Sequence, residues 1–196
     1  MTGGVTGVIL AGGQGRRMGS VDKGLRELRG KAMVAWVLER FAPQVDEVLI
    51  NANQNLDVYA RFGYRVVPDE IGGFAGPLAG LQRGLSEARH ALVATAPCDT
   101  PFLPTDLVAR LHAALQANAA QLAVARTGDQ PHPVFCVCRR DVLPHLTAFL
   151  RDGGRKIDAW YATLNVVEVT FDDQPDAFSN INTPDELKAF ETGGVP

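Results

Sequence analysis

The sequence predicts a doubly wound α/β fold, a single mostly parallel sheet with helices on both faces. Three observations carry that expectation. Short β-branched apolar runs alternate with longer segments of helical periodicity, the pattern that βαβ crossovers require. The early runs close on Gly12, Asn51, Pro68-Asp69 and Pro97-Cys98-Asp99, turn-forming and polar residues where open α/β sheets bind ligands. The length of 196 residues, 46% hydrophobic and 21% charged, suits one large core with a cleft in it.

The elements follow in order. Val5 to Leu10 is the first strand, and a loop rich in Gly, Arg and Lys leads to a helix from about Ala32 to Phe41. Glu47 to Ile50 is the second strand, with Asn51 at its carboxyl end. A short helix near Leu56 to Arg61 precedes a strand at Tyr64 to Val67. The turn cluster Gly72-Gly73-Phe74-Ala75-Gly76 feeds a helix at Leu78 to Ala88, with Pro77 at its first position. Ala91 to Ala96 is a buried strand, Asp106 to Ala117 a helix, and Leu122 to Ala125 and Val134 to Cys138 are strands. Helices near Val142 to Leu150 and Arg155 to Trp160 precede a strand at Leu164 to Phe171. Thr183-Pro184-Asp185-Glu186 reads as a capping box with proline at the first helical position, opening a terminal helix to Phe190. With no repeat or linker in view, residues 1–196 are expected to form one domain. Its nucleotide-binding half is roughly 1–100 and its acceptor-binding half roughly 101–196.

Charge and targeting narrow the function classes. A net charge of −3 argues against broad nucleic-acid binding, which needs a basic surface. The first residues carry no basic cluster, and no apolar run approaches membrane-spanning length, so no secretory signal and no membrane partner is expected. Cys98, Cys136 and Cys138 lack C-x-x-C spacing. Cys136 and Cys138 alternate along one strand face as small core hydrophobes, which fits a reducing cytoplasm.

The segment Leu10-Ala11-Gly12-Gly13-Gln14-Gly15-Arg16-Arg17-Met18-Gly19, with Asp22-Lys23 beyond it, is a local basic cluster in an acidic chain. Its glycines let backbone N–H groups approach an anion. Arg16 and Arg17 offer planar forks to phosphate oxygens, and Lys23 a mobile point charge. Two commoner phosphate loops do not fit. A G-x-G-x-x-G fingerprint starting at Gly13 would need glycine where Met18 stands, and the lone Gly-Lys pair, Gly30-Lys31, is followed by Ala32 rather than Ser or Thr.

Serial motifs along the chain make the loop specific. Besides the loop and Asp22-Lys23-Gly24 there are Asn51-Ala52-Asn53, Pro68-Asp69, Gly76-Pro77-Leu78-Ala79-Gly80, Pro97-Cys98-Asp99-Thr100-Pro101 and Asn180-Ile181-Asn182-Thr183-Pro184. Together they resemble the molybdenum cofactor guanylyltransferases, a branch of a broad nucleotidyltransferase superfamily with a Rossmann-like sheet. The resemblance implies transfer of GMP from Mg-GTP to the terminal phosphate of molybdopterin cofactor, giving the guanine dinucleotide form and pyrophosphate. It also implies transient contact with proteins that make or accept that cofactor.

By that resemblance Leu10, Ala11, Gly12, Lys23, Asn51 and Asp69 contact the nucleotide, Gly13 separates the branch from cytidylyl relatives, and Asp99 is the Mg²⁺ ligand. Read from the residues alone, Asp99 is either a metal carboxylate or an Asx turn after a strand, and Asn51 either a nucleotide contact or a strand cap. Asp69 offers two acceptor oxygens that suit the N1–H and N2–H₂ edge of guanine; the other reading is a turn residue. Lys23 and Arg17 would screen the charge of the reacting phosphates. On the acceptor side, Asn180 and Asn182 alternate to one face and could hold a pterin, a phosphate or a metal-bound water. Arg155 is either a phosphate clamp or a solvated side chain. His132, before a proline, reads as a turn residue, Asp129 is a further polar position, and Asp172, Asp173 and Asp176 read as a solvated loop. Three other readings stay open: a cytidylyltransferase on the same acceptor, a sugar-phosphate nucleotidyltransferase, and a GTP-binding regulator without chemistry.

Overall fold

The computed structural model describes residues 4–13, 22–71 and 76–181. The chain runs β1 (Val5–Leu10), β2 (Glu27–Leu28), β3 (Lys31–Ala32), α1 (Met33–Phe41), β4 (Glu47–Asn51), α2 (Leu56–Ala60), β5 (Arg65–Val67), α3 (Pro77–Glu87) and β6 (Leu92–Pro97). There follow α4 (Leu107–Ala117), β7 (Leu122–Thr127), β8 (Gln130–Arg139), α5 (Leu143–Arg151), α6 (Ile157–Tyr161) and β9 (Val166–Thr170). The expected terminal helix at 183–190 lies outside the described residues.

Seven strands form the main sheet in the order β5-β4-β1-β6-β8-β7-β9, and β2-β3 is a separate two-residue hairpin. Side-chain alternation along the strands builds two cores. Val5 and Ile9 of β1, Ile50 of β4 and Ala94 and Ala96 of β6 face one side, where Val34, Val37 and Phe41 of α1 and Leu107 and Leu111 of α4 cover them. Val8, Leu49 and Val93 face the other, under Leu78 and Leu85 of α3, Leu146 and Leu150 of α5, and Trp160 of α6. Period two in the strands against 3.6 in the helices therefore gives a three-layer α/β/α arrangement. Cys136 and Cys138 point together into the second core and Cys98 into the first, all three as buried free thiols. No helix among the described residues is long and apolar enough to cross a membrane.

The sheet is mixed at one place. β1 pairs in parallel with both β4 and β6, but β8 is antiparallel to β6 and to β7. The cause is local: Gly128-Asp129 is a two-residue connection, with Gly128 at φ +50° and Thr127 opposite Gln130. A connection that short permits only a hairpin. It lengthens β7 and β8 beyond the runs read from sequence. Pro133 falls where the register shifts between Val124 and Ala125, an irregularity that spares it ladder donation. His132 is thus a strand residue, not a turn residue.

β1 is the switch point of the topology. After β1 the chain moves outward to β4 and β5, then returns to the opposite flank of β1 as β6. The crevice outside the carboxyl ends of these strands is where such a sheet takes a ligand.

Candidate active site

Backbone pairing continues past the strand ends and sets the crevice floor. Ala11 N–H donates to Asn51 O at 2.8 Å, and Cys98 N–H to Leu10 O at 3.1 Å. Residues 11–13 therefore leave the sheet between Asn51 on one flank and Asp99 on the other. Gly12 needs its lack of a side chain: a Cβ there would lie 2.9 Å from Asn53 Nδ2 and 3.3 Å from Asn51 Oδ1. Gly13 is exposed, and a Cβ there would meet nothing within 4 Å. Arg16 and Arg17 lie outside the described residues.

One wall is polar and rigid. Asn51 is buried, 2% exposed, and its Nδ2 donates to Val67 O at 3.1 Å and to Asp69 Oδ1 at 2.8 Å. These bonds bear out the strand-end reading of Asn51, whose side chain ties β4 to β5 and orients Asp69. Asn53, which sequence reasoning quoted but did not weigh as a site residue, completes the wall. Its Nδ2 donates to Asp69 Oδ2 at 2.9 Å, and its Oδ1 accepts from Asp69 N–H at 2.9 Å. The carboxylate of Asp69 is therefore not bare: each oxygen receives one amide N–H and keeps a lone pair for another donor. Gly80 of α3 lets the helix close on this wall, since a Cβ there would be 2.7 Å from Leu10 Cδ2 and tighter still on Asn51.

The opposite wall holds the charge. Lys23 Nζ lies 3.3 Å from Asp99 Oδ2. Lys23 sits in a 3₁₀ turn, Lys23–Leu25, capped by Asp22, whose Oδ1 accepts from Gly24 N–H at 3.2 Å. The same Oδ1 accepts from the Tyr59 hydroxyl at 2.5 Å, and Oδ2 from Asn55 Nδ2 at 3.1 Å. Asp99 is buried, 8% exposed. Burial pushes its carboxyl above the usual carboxylate range, with the Lys23 ammonium pulling the other way. The neighbouring Cys98 thiol is held well above its usual range by burial and by the Asp99 charge, so it stays a neutral packing group.

Among the described residues no group of three or more His, Cys, Asp or Glu side chains gathers to hold a metal. A lone buried carboxylate beside a lysine suits Mg²⁺, which keeps several waters and completes its shell from phosphate oxygens; it does not suit zinc.

Asn180 is brought to the same wall. The fully buried Thr100 donates its hydroxyl to Asn180 Oδ1 at 2.5 Å, and Ile181 N–H donates to Asp99 O at 3.0 Å. Ile181 anchors that segment by packing with Leu28 and Met33. Asn182 lies outside the described residues.

Arg155 follows α5. Arg140 bonds Leu85 O and Gln82 contacts Thr147, so α5 runs antiparallel to α3 and its carboxyl end lies toward Pro77, at the crevice edge of the sheet. The Arg155 guanidinium is turned to Leu150 O and Gly154 O at 2.8 and 2.7 Å, where it caps its own helix. His132 stacks on Phe178 at 4.5 Å and shares a hydrogen bond with Thr127, a structural role. Asp129 is exposed at the hairpin tip beside Arg126. The acidic loop is exposed but not merely solvated: Asp173 takes a two-pronged bond from Arg110, and Asp172 accepts from Gly128 N–H.

The chain is similar to known proteins in sequence and fold. Residues 7–166 match the model of the MobA-like NTP transferase domain. The chain is 51% identical to the molybdenum cofactor guanylyltransferase of Cupriavidus taiwanensis over 192 residues, 95% of this chain and 96% of the relative. It is 50% identical to the protein of the same name from Shewanella amazonensis, over 94% of each chain. Among solved structures, molybdopterin-guanine dinucleotide biosynthesis protein A from Archaeoglobus fulgidus superposes with a TM-score of 0.81 at 27% identity, covering 95% of this chain and 96% of that one.

Proposed function

The chain belongs to the molybdenum cofactor guanylyltransferases of the MobA-like NTP transferase family, and from that premise we propose how its crevice works. The enzyme moves GMP from GTP to the terminal phosphate of molybdopterin cofactor, releasing pyrophosphate. Residues 1–100 bind the nucleotide and residues 101–196 the acceptor, within one domain. The observation that carries the reading is the pairing of two unlike walls across one glycine loop: a fixed amide–carboxylate platform at Asn51, Asn53 and Asp69, and a Lys23–Asp99 ion pair at 3.3 Å.

Guanine lies on the platform. Each Asp69 oxygen, already oriented by one asparagine, accepts one donor from the N1–H and N2–H₂ edge; adenine and cytosine lack that paired donor edge. Leu10 and the backbone of Ala11, Gly12 and Gly13 lie along the nucleotide, where a side chain beyond Ala11 would crowd it. Lys23, with Arg17, binds the triphosphate and screens the repulsion between two polyanions.

Asp99 is the residue to hold Mg²⁺, which when bound would supply charge neutralisation at the α-phosphate and the departing pyrophosphate. An oxygen of the acceptor phosphate bonds to the α-phosphorus as the bond to the β-phosphate oxygen breaks. Pyrophosphate carries away the electron pair, and no proton need move because the acceptor is already anionic. Asn180, its Oδ1 taken by Thr100, keeps its NH₂ for the acceptor, and Asn182 and Arg155 are the further residues assigned to bind it. The acceptor arrives by transient contact with proteins that make or use the cofactor, in the cytoplasm.

The test is incubation with α-labelled GTP, molybdopterin cofactor and Mg²⁺, following label and pyrophosphate together. Label appearing in a dinucleotide, one pyrophosphate for each, supports the proposal. Turnover with CTP but not GTP moves the protein to cytidylyl chemistry, and tight GTP binding without pyrophosphate supports a regulator.

A further inference from the structure

We propose that Tyr59 is a positioning residue for Lys23, acting through Asp22, and that it sets how tightly the crevice holds a nucleoside triphosphate. The inference rests on the phosphate-binding role proposed above for Lys23.

Tyr59 is the buried residue of the short helix α2, fully enclosed in the first core. A phenylalanine would fill that core equally well, so it is the hydroxyl that calls for an explanation. A buried hydroxyl needs a partner, and this one donates to a carboxylate 37 residues away in sequence, Asp22 Oδ1, at 2.5 Å. The carbonyl of Asn55, at the cap position of the same helix, accepts from Val58 and Tyr59 N–H, but its side chain makes no cap bond to α2. Its side chain goes instead to Asp22 Oδ2 at 3.1 Å. A cap side chain that holds the same carboxylate instead of its own helix gives a second, independent link.

Asp22 in turn closes the turn that carries Lys23, through Gly24 N–H. That turn is wedged in place: a Cβ on Gly24 would be 2.6 Å from the Tyr59 hydroxyl and 3.1 Å from both Cβ and Sγ of Cys98. Cys98 directly precedes Asp99. Both members of the Lys23–Asp99 pair are thus referenced to one packing point, with Tyr59 on one side and Cys98 on the other. With Tyr59 and Gly24 on one carboxylate oxygen and Asn55 on the other, Asp22 is tied to the turn from both sides.

The experiment measures GTP affinity by displacement of a fluorescent GTP analogue, for Tyr59→Phe in the wild-type protein and in a Lys23→Met background, with thermal melts as the folding control. Removing a hydrogen bond to a charged group is worth about a factor of ten here. The expected result is about a tenfold loss of affinity for Tyr59→Phe in the wild type and less than a twofold change when Lys23 is already methionine. Asn55→Gly, which keeps the left-handed backbone at that residue (φ +52°) while deleting the side chain, should follow the same pattern from the exposed side. Equal losses in both backgrounds, or unchanged affinity for Tyr59→Phe and Asn55→Gly where Lys23→Met itself weakens GTP, overturn the inference and leave the role of Lys23 standing. Unchanged affinity for Lys23→Met overturns both.

Discussion

Replacing Asp99 by asparagine should separate what the carboxylate does for the reaction from what it does for the fold. The two side chains are nearly the same size, so packing is kept and a charge is lost. At 3.3 Å, the attraction to Lys23 is worth about 5 kcal/mol at an effective dielectric of about 20. Against it stands the cost of burying the carboxylate, several kcal/mol for an ion taken from water. The direction of the Asp99 shift decides between them: the carboxyl is pushed above its usual range despite Lys23, so burial wins. The charged form is therefore no asset to folding at neutral pH. Asp99→Asn should melt within about 2 °C of wild type, or above it, a shift worth about 1 kcal/mol or less. Turnover should fall by about 10³-fold or more, the scale on which a charge-stabilising group acts. GTP binding without added metal should change by less than the turnover. The assay is pyrophosphate release at saturating GTP, Mg²⁺ and acceptor, beside a thermal melt on the same preparation. An Asp99→Asn protein that melts normally and turns over at the wild-type rate would refute the catalytic assignment. One that unfolds would refute the balance of burial against Lys23.

Three further outcomes follow from the geometry. Gly13→Ala has open space for its Cβ in the free protein, so it should leave the melt unchanged or raise it slightly while weakening GTP about tenfold; unchanged affinity in a titration means no nucleotide approaches that backbone. Gly80→Ala pushes a methyl onto Leu10 and Asn51, which should cost about 1–3 kcal/mol by denaturant unfolding and erode the preference for GTP over ATP by disturbing the wall that orients Asp69. Glu47 supplies the pH dependence: burial opposes its ionisation, but the Arg89 N–H, the Thr6 hydroxyl and the Arg89 charge together hold its carboxyl below the usual range. Its contribution, about 1 kcal/mol, is complete above the unfolded pKa near about 4.3 and is lost as pH falls through the lower folded value. Glu47→Gln should therefore be less stable at pH 7 and show a shallower acid limb, checked by urea unfolding from pH 7 to pH 3.

The strands and helices that build the crevice were legible because burial on both faces forces β-branched runs, and each run ends where the crevice begins. Gly12, Asp69 and Asp99 could be singled out for that reason. The strand at Val134 to Cys138 was legible too, but not its start at Gln130 or its antiparallel direction, because Pro131 and Pro133 mask the beginning of a strand whose true signal is the two-residue Gly128-Asp129 turn. The hairpin β2–β3 is too short to leave any periodicity. Asn53 had a readable sign, two asparagines two apart at a strand end, but its reciprocal bonds to Asp69 depend on β4 and β5 lying side by side. Tyr59 and Asn55 left no mark, since their tie to Asp22 exists only once α2 folds over the loop. Arg155 could be placed at the crevice edge only after the direction of α5 was known, and its cap on Leu150 O is a local choice of rotamer.

The most direct measurement is a single-turnover reaction with α-labelled GTP, molybdopterin cofactor and Mg²⁺, comparing wild type with Asp69→Asn and Asp99→Asn. Wild type should convert the label to the guanine dinucleotide with one pyrophosphate each; Asp69→Asn should lose its preference for guanine, and Asp99→Asn should bind GTP but leave it intact. Full conversion by both variants, or none by the wild type while it binds GTP, would place the chemistry somewhere other than the crevice between these two carboxylates.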